Sequence, residues 1–127
     1  MHPVFKHVDK PKLPSESDIQ RQFISWLRTD YPDIAPFVFH IPNGGHRTLY
    51  YNKFLKEMGL RAGVSDLFVA IPTNNYHGAW IELKSKKGRI SPVQEEFLED
   101  MSNKCYFTSV CYSLEEAVIT LKNYLNI

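Results

Sequence analysis

Residues 78–97 read GAWIELKSKKGRISPVQEEF. The first half has the composition of a strand, and side chains on a strand alternate between its faces. Ile81, Leu83 and Ser85 therefore share one face, and Trp80, Glu82 and Lys84 the other. Packing alone gives no reason to set a carboxylate and an ammonium side by side on a short apolar strand. The second half passes through a basic turn, SKKGR, into a helix with a strong start signature. Ser91 stands at the N-cap, Pro92 at the first helical position and Gln94 two positions later, a capping box.

Upstream, DLFVAIP predicts a strand from Asp66 to Ile71, and TNNYHG turns the chain into the strand Ala79–Lys84. The turn is short enough for an antiparallel hairpin. Pairing brings the start of the first strand to the end of the second, so Asp66 faces Glu82 and Lys84. Further out, PSESDIQRQFISWLRTDYP predicts a helix, with Ile19, Phe23, Trp26 and Leu27 at helical spacing. Ser15 or Ser17 can cap it, and Ser17 with Gln20 fits a capping box. PFVFHIP reads as a short strand, NGGHR as a loop, and YYNKFLKEMG as a short helix closed by Gly59. CYFTSVCY predicts another strand, and SLEEAVITLKNYL a last helix with Ser113 and Glu116 as its box. The order implies an α/β domain, a central mixed β-sheet flanked by helices. Residues 1–14, with no periodicity, read as a flexible or extended arm before one domain at 15–127.

Composition bounds the rest. Lysine and arginine total 15 against 14 acids, a formal net charge of +1. A basic surface must then be a local patch. Cys105 and Cys111 have neither CxxC nor zinc-site spacing. Placed in one strand, they would share a face as reduced, largely buried thiols. The N-terminus lacks the apolar core of a signal peptide, and no apolar run reaches membrane-spanning length. The expectation is a soluble cytoplasmic protein with no membrane partner.

Two carboxylates at one point cannot both stay ionised without a cation. Hard oxygen ligands suit Mg²⁺ or Mn²⁺. An adjacent ammonium can orient a water or offset charge growing on a phosphate. An E-x-K strand by itself is more often a half-exposed salt bridge. Here Asp66 follows the Gly-containing turn RAGVS, the strands are otherwise apolar, and a basic turn and capped helix follow at once. Those neighbours favour the chemical reading.

The pieces ESDIQRQFISWL, YPDIAPFVFHIPNGGHR, LKEMGLRAGVSDLFVAIP, YHGAWIELKSKKGRISPVQEEF and VCYSLEEAVITLKNYL run in order over nearly the whole chain. Together they resemble the PD-(D/E)xK nuclease superfamily, with its restriction-endonuclease-like core, and more closely the VRR-NUC family of virus-type replication and repair nucleases. IPNGG, G-x-x-D-L-F, IE-x-K and S-x-x-Q in sequence carry the likeness. It implies that Asp66 and Glu82 bind the metal, with the backbone carbonyl of Leu83 and, from the first helix, Glu16. It implies that Lys84 is the catalytic lysine and that Gln94 joins the catalytic group. Ser65 departs from the family's usual proline. The resemblance implies a Mg²⁺- or Mn²⁺-dependent endodeoxyribonuclease acting on branched DNA such as a Holliday junction. It also implies a viral or phage type, a homodimer, and the host cytoplasm if viral. Asn43 and Arg47 in the glycine-rich loop, and Lys86, Lys87 and Arg89 in the basic turn, then become DNA contacts.

Each reading has a plain counterpart. Gln94 completes a cap whether or not it acts in catalysis, and the two roles can coexist. Glu16 is also a first-turn acid favoured by the helix dipole. His40, His46 and His77 lack zinc or HNH spacing and read as incidental. Tyr50, Tyr51 and Tyr76 could stack on bases, with packing the commoner use. The rival functions are a DNA-binding module without catalysis, and a flap, exonuclease or restriction-type member of the same superfamily. Divalent-cation-dependent cutting separates the first from an enzyme.

Overall fold

A computed structural model describes residues 12–42 and 48–127. The first helix, α1 (Glu16–Asp30), is followed by a 3₁₀ turn at Ala35–Phe37 and strand β1 (Val38–His40). Then come α2 (Leu49–Glu57), β2 (Leu67–Val69), β3 (Ala79–Leu83), α3 (Pro92–Asn103), β4 (Phe107–Cys111) and α4 (Leu114–Leu125). The four strands form one mixed sheet in the order β1-β2-β3-β4. The first two pairings are antiparallel, and β3–β4 is parallel through the α3 crossover.

The alternation read from the sequence sorts the two faces. Leu67, Val69, Ile81 and Leu83 are buried on one face, under Ile19, Phe23 and Leu27 of α1 and Ala117 and Leu121 of α4. Phe68 and Trp80 point to the other. Their ring centroids lie 4.5 Å apart, and Phe97 of α3 meets Trp80 edge-on at 5.0 Å. Each face thus has its own apolar cover, as a sheet with helices on both sides requires.

Local chemistry sets the helix ends. Ser91 and Gln94 form the expected reciprocal box at the start of α3. At α1 the cap is Ser15 with Asp18, not Ser17 with Gln20. Both spacings suit a box; the one used starts the helix a turn's fraction earlier and frees Ser17 and Gln20. At α4, Ser113 caps Glu116 as expected, but the Glu116 carboxylate accepts from the Tyr112 amide instead of the N-cap amide. Gly59 follows α2 at φ +100°, where glycine carries no steric penalty.

Three strand expectations change. The β2 strand is shorter than Asp66–Ile71, leaving Asp66 just before it. β3 ends at Leu83, so Lys84 follows the strand, its amide still bonded to the Cys111 carbonyl. Cys105 lies outside β4, exposed and at φ +66°, while Cys111 is buried. The turn preceding β4 needs a left-handed residue there, so the two thiols do not share a strand face.

Among the described residues, no element covers α2 closely. It has no buried residue; Leu49 is 89% exposed and Tyr50 84%, and Met58 just beyond the helix is 71% exposed. No helix among the described residues is long and apolar enough to cross a membrane.

Candidate active site

The hairpin register decides the site. Leu67 pairs with Ile81 in an antiparallel ladder, which sets Asp66 opposite Glu82. The Leu83 amide donates to Asp66 Oδ2 at 2.8 Å, fixing that carboxylate at the end of the sheet. On its backbone side, Asp66 accepts the Ile41 amide at 3.1 Å through its carbonyl, and His40 Nδ1 approaches the same oxygen at 2.7 Å.

Glu82 is 2% exposed and Lys84 7%. Lys84 Nζ lies 3.7 Å from Glu82 Oε1 and 3.7 Å from Glu16 Oε1. The ammonium is therefore held between two carboxylates without a close hydrogen bond to either. Gln94 spans two tasks. Its Oε1 accepts the Ser91 amide at 2.9 Å in the cap, and its Nε2 donates to Glu82 Oε1 at 3.1 Å. One amide side chain completes the cap and reaches the site.

The second oxygen of Glu82 is buried and, with both carboxyls ionised, no donor among the described residues reaches it. An unpaired buried carboxylate oxygen is costly, so the group turns to protonation. Burial, the Asp66 charge and a hydrogen bond to Asp66 push the Glu82 carboxyl up to about 8, against the opposing pull of Lys84. As an acid, Glu82 can donate to Asp66; as a carboxylate, it needs a cation.

That need is the test of a metal at this place. Asp66 and Glu82 offer hard oxygens, and the orphaned Glu82 oxygen is a vacant acceptor that a divalent cation would satisfy. The donor set fits Mg²⁺ or Mn²⁺. Among the described residues, no three His, Cys, Asp or Glu side chains converge as a ready-made cage. Glu16 in this arrangement is engaged with Lys84.

A depression of about 970 Å³ opens beside the cluster, lined by Glu16, His40, Asp66 and Gln94 among others, with Glu82 and Lys84 behind its wall. Gly63, at φ +83°, lies so close to the start of α3 that a Cβ would stand 2.3 Å from the Val93 carbonyl oxygen. The loop before Asp66 and the turn carrying Gln94 are thus packed backbone to backbone.

The structure therefore brings together Asp66, Glu82, Lys84, Gln94 and Glu16. It leaves Lys86, Lys87 and Arg89 on an exposed turn, none of them lining this depression. Lys86 instead borders a separate cleft of about 210 Å³ with Leu13 and Tyr112. Asn43 and Arg47 lie outside the described residues. His40 reads as incidental in the sequence, yet its contact with the Asp66 carbonyl puts it at the rim. The signal was its register: β1 pairs His40 with Leu67, next to Asp66.

The VRR-NUC domain model matches residues 14–115. The chain belongs to the VRR-NUC family. Membership makes it a nuclease domain, with DNA as the substrate class. A solved structure titled a VRR_NUC domain protein is 24% identical, covers 91% of each chain and superposes with a TM-score of 0.79. At that identity the likeness concerns the fold. No curated protein matches the chain. The family's mixed sheet with flanking helices and the geometry around Glu82 agree: the hairpin that defines the fold also assembles the charged cluster.

Proposed function

We propose that this VRR-NUC domain is a Mg²⁺- or Mn²⁺-dependent endodeoxyribonuclease that hydrolyses phosphodiester bonds in branched DNA, with the Holliday junction as its substrate. The observation that carries the reading is the buried Glu82 carboxyl. It faces Asp66, lies beside Lys84 and has one oxygen that no donor among the described residues reaches, behind a depression lined by its neighbours Asp66, Glu16 and Gln94. A purely structural ion pair would satisfy both oxygens or lie in solvent.

In this reading Asp66 and Glu82 hold the cation, with the Leu83 carbonyl as a further ligand. The Leu83 amide keeps Asp66 from rotating away. Gln94 steadies one oxygen of Glu82 and leaves the other free. A cation held there would require the charged form of Glu82, so the proton that burial favours on this carboxyl would have to leave. The Lys84 ammonium orients the water that attacks phosphorus in line, or donates to a non-bridging oxygen as charge builds there. Glu16 holds Lys84 on the pocket side. The bound cation supplies positive charge against the phosphate and the leaving 3′ oxygen.

The branched substrate is supported by the resemblance to virus-type replication and repair nucleases. Two cuts across a four-way junction call for two sites, and a C₂ homodimer supplies them. Phe23 and Leu121 are core residues, and Trp26, Tyr124 and Leu125 pack against the core, so they are spoken for. The exposed side of α2, with Leu49, Tyr50, Phe54 and the following Met58, is one apolar surface a partner copy could cover, and Phe37 and Phe39 at β1 are another.

The test is a cleavage panel of linear duplex, flap and four-way junction, each with Mg²⁺, Mn²⁺, Ca²⁺ or excess EDTA. Mg²⁺ and Mn²⁺ are expected to support paired nicks in the junction, and Asp66→Asn to abolish them. Cutting of linear duplex in preference to every branched form would overturn the junction assignment. Cutting in EDTA would overturn the metal.

A further inference from the structure

Alongside the depression over Asp66 lies a second one, about 490 Å³, between α1 and the edge strand β1. The two adjoin, sharing Gln20, Arg21 and His40 as lining residues. Among the residues that line the second, none is acidic; its charged groups are Arg21 and Arg28. In a chain with 15 basic and 14 acidic residues, an acid-free groove running from a nuclease site is a local departure from the whole.

The helix supplies the spacing. Arg21, Ser25 and Arg28 recur at i, i+4 and i+7, one stripe on the face of α1 away from its buried Phe23 and Leu27. Seven residues of helix span about 10 Å, room for more than one phosphate of a strand. Gln20 and Ser25 add neutral donors along the same wall. Arg28 forms no ion pair with any described residue. Arg21 pairs with Asp18 at 2.6 Å, but the side chains are 77% and 42% exposed, so the pair is weak and open to exchange for a phosphate.

The helix dipole favours a cation at Arg28, and Asp18 accounts for Arg21. Neither explains why the two arginines share an acid-free groove that empties into the carboxylate pocket. We propose that this groove carries the phosphodiester backbone of the DNA strand beyond the scissile phosphate, with Arg21 and Arg28 contacting successive backbone positions. This rests on the nuclease reading and deepens it. It places the strand's path along α1, on a different surface from the SKKGR turn.

The experiment is fluorescence anisotropy on a labelled duplex and a labelled four-way junction, in EDTA so that nothing is cut, over a range of salt. The double variant Arg21→Ala/Arg28→Ala is compared with wild type and with Lys104→Ala, an exposed cation outside both depressions. All three substituted positions are exposed, and a thermal melt checks that each variant is folded. The double variant is expected to bind both DNAs about tenfold more weakly at low salt, with the salt slope reduced by about 1.8 on duplex. Lys104→Ala should match wild type. In cleavage assays Arg28→Ala should raise KM with kcat within about twofold. A double variant whose slope matches Lys104→Ala would overturn the proposal. So would a wild type that fails to bind either DNA. Binding with the expected slope, but no cutting with any cation, would instead overturn the nuclease reading and leave the groove in place.

Discussion

Phe23 and Glu82 are buried almost equally, one in the core beneath α1 and α4, the other at the end of the sheet. Around Phe23 every neighbour in the cluster is apolar, and burial and stability point the same way. Around Glu82 lie a second carboxylate and an ammonium, and one of its own oxygens is reached by no donor among the described residues. Burial there works against the charged form. One region is arranged to hold the fold together. The other is held in place by the fold at some cost to it, which is the pattern expected where groups are kept for chemistry. The hairpin of β2 and β3 serves both, with Leu67 and Ile81 on the core face and Asp66 and Glu82 at its open end.

The contrast breaks most sharply at the core. Phe23→Ala removes a ring with no exposed surface and should cost about 3–5 kcal/mol. Urea unfolding would read this as a lower midpoint with unchanged slope, and cleavage should persist below that midpoint. A loss under about 1 kcal/mol would mean the site side, not the core, dominates stability.

At the site the sign reverses with pH. Burial and the neighbouring Asp66 charge push the folded Glu82 carboxyl up to about 8, from an ordinary 4.5. The folded state therefore binds more protons than the unfolded state between those values. Stability contributed by the neutral acid is full below about pH 4.5 and is lost as pH rises through about 8. Metal-free protein should show a melting temperature several degrees lower at pH 8.5 than wild-type protein given Mg²⁺ at the same pH. A gap that is wider at pH 5 than at pH 8.5 would contradict the assignment.

Ser65 gives the smallest effect. Its hydroxyl is fully buried and has no partner among the described residues, one residue before Asp66. The side chain stands where the family usually has proline, which brings no hydroxyl. Ser65→Ala should raise stability by about 1 kcal/mol in chemical denaturation, with cleavage unchanged. Destabilisation would mean the hydroxyl has a partner in solution.

Much of this was legible before any coordinates. The period of two in β3 and the short turn before it fix which residues meet, so the Asp66–Glu82–Lys84 cluster follows from strand pairing. The α3 cap was equally readable, because Ser91, Pro92 and Gln94 act within one turn. Features that depend on competing local choices were not. Ser15 and Ser17 both precede a plausible partner, and only the path into α1 decides between them. Cys105 adopts a left-handed conformation that its residue type does not announce. The Arg21–Arg28 stripe is an ordinary polar helix face until β1 supplies the other wall of its groove. The basic turn, conspicuous in the sequence, does not line the pocket.

The most direct test is Glu82→Gln, followed side by side for cleavage and for metal-free melting at pH 8.5. The substitution keeps the shape and the Gln94 neighbourhood but removes the titrating charge. Cleavage of junction DNA with Mg²⁺ should fall by roughly 10²–10³, while the melting temperature rises above that of wild type by several degrees. Wild-type cleavage together with an unchanged or lower melting temperature would contradict the claim that this buried acid is retained for nuclease chemistry at a cost to the fold.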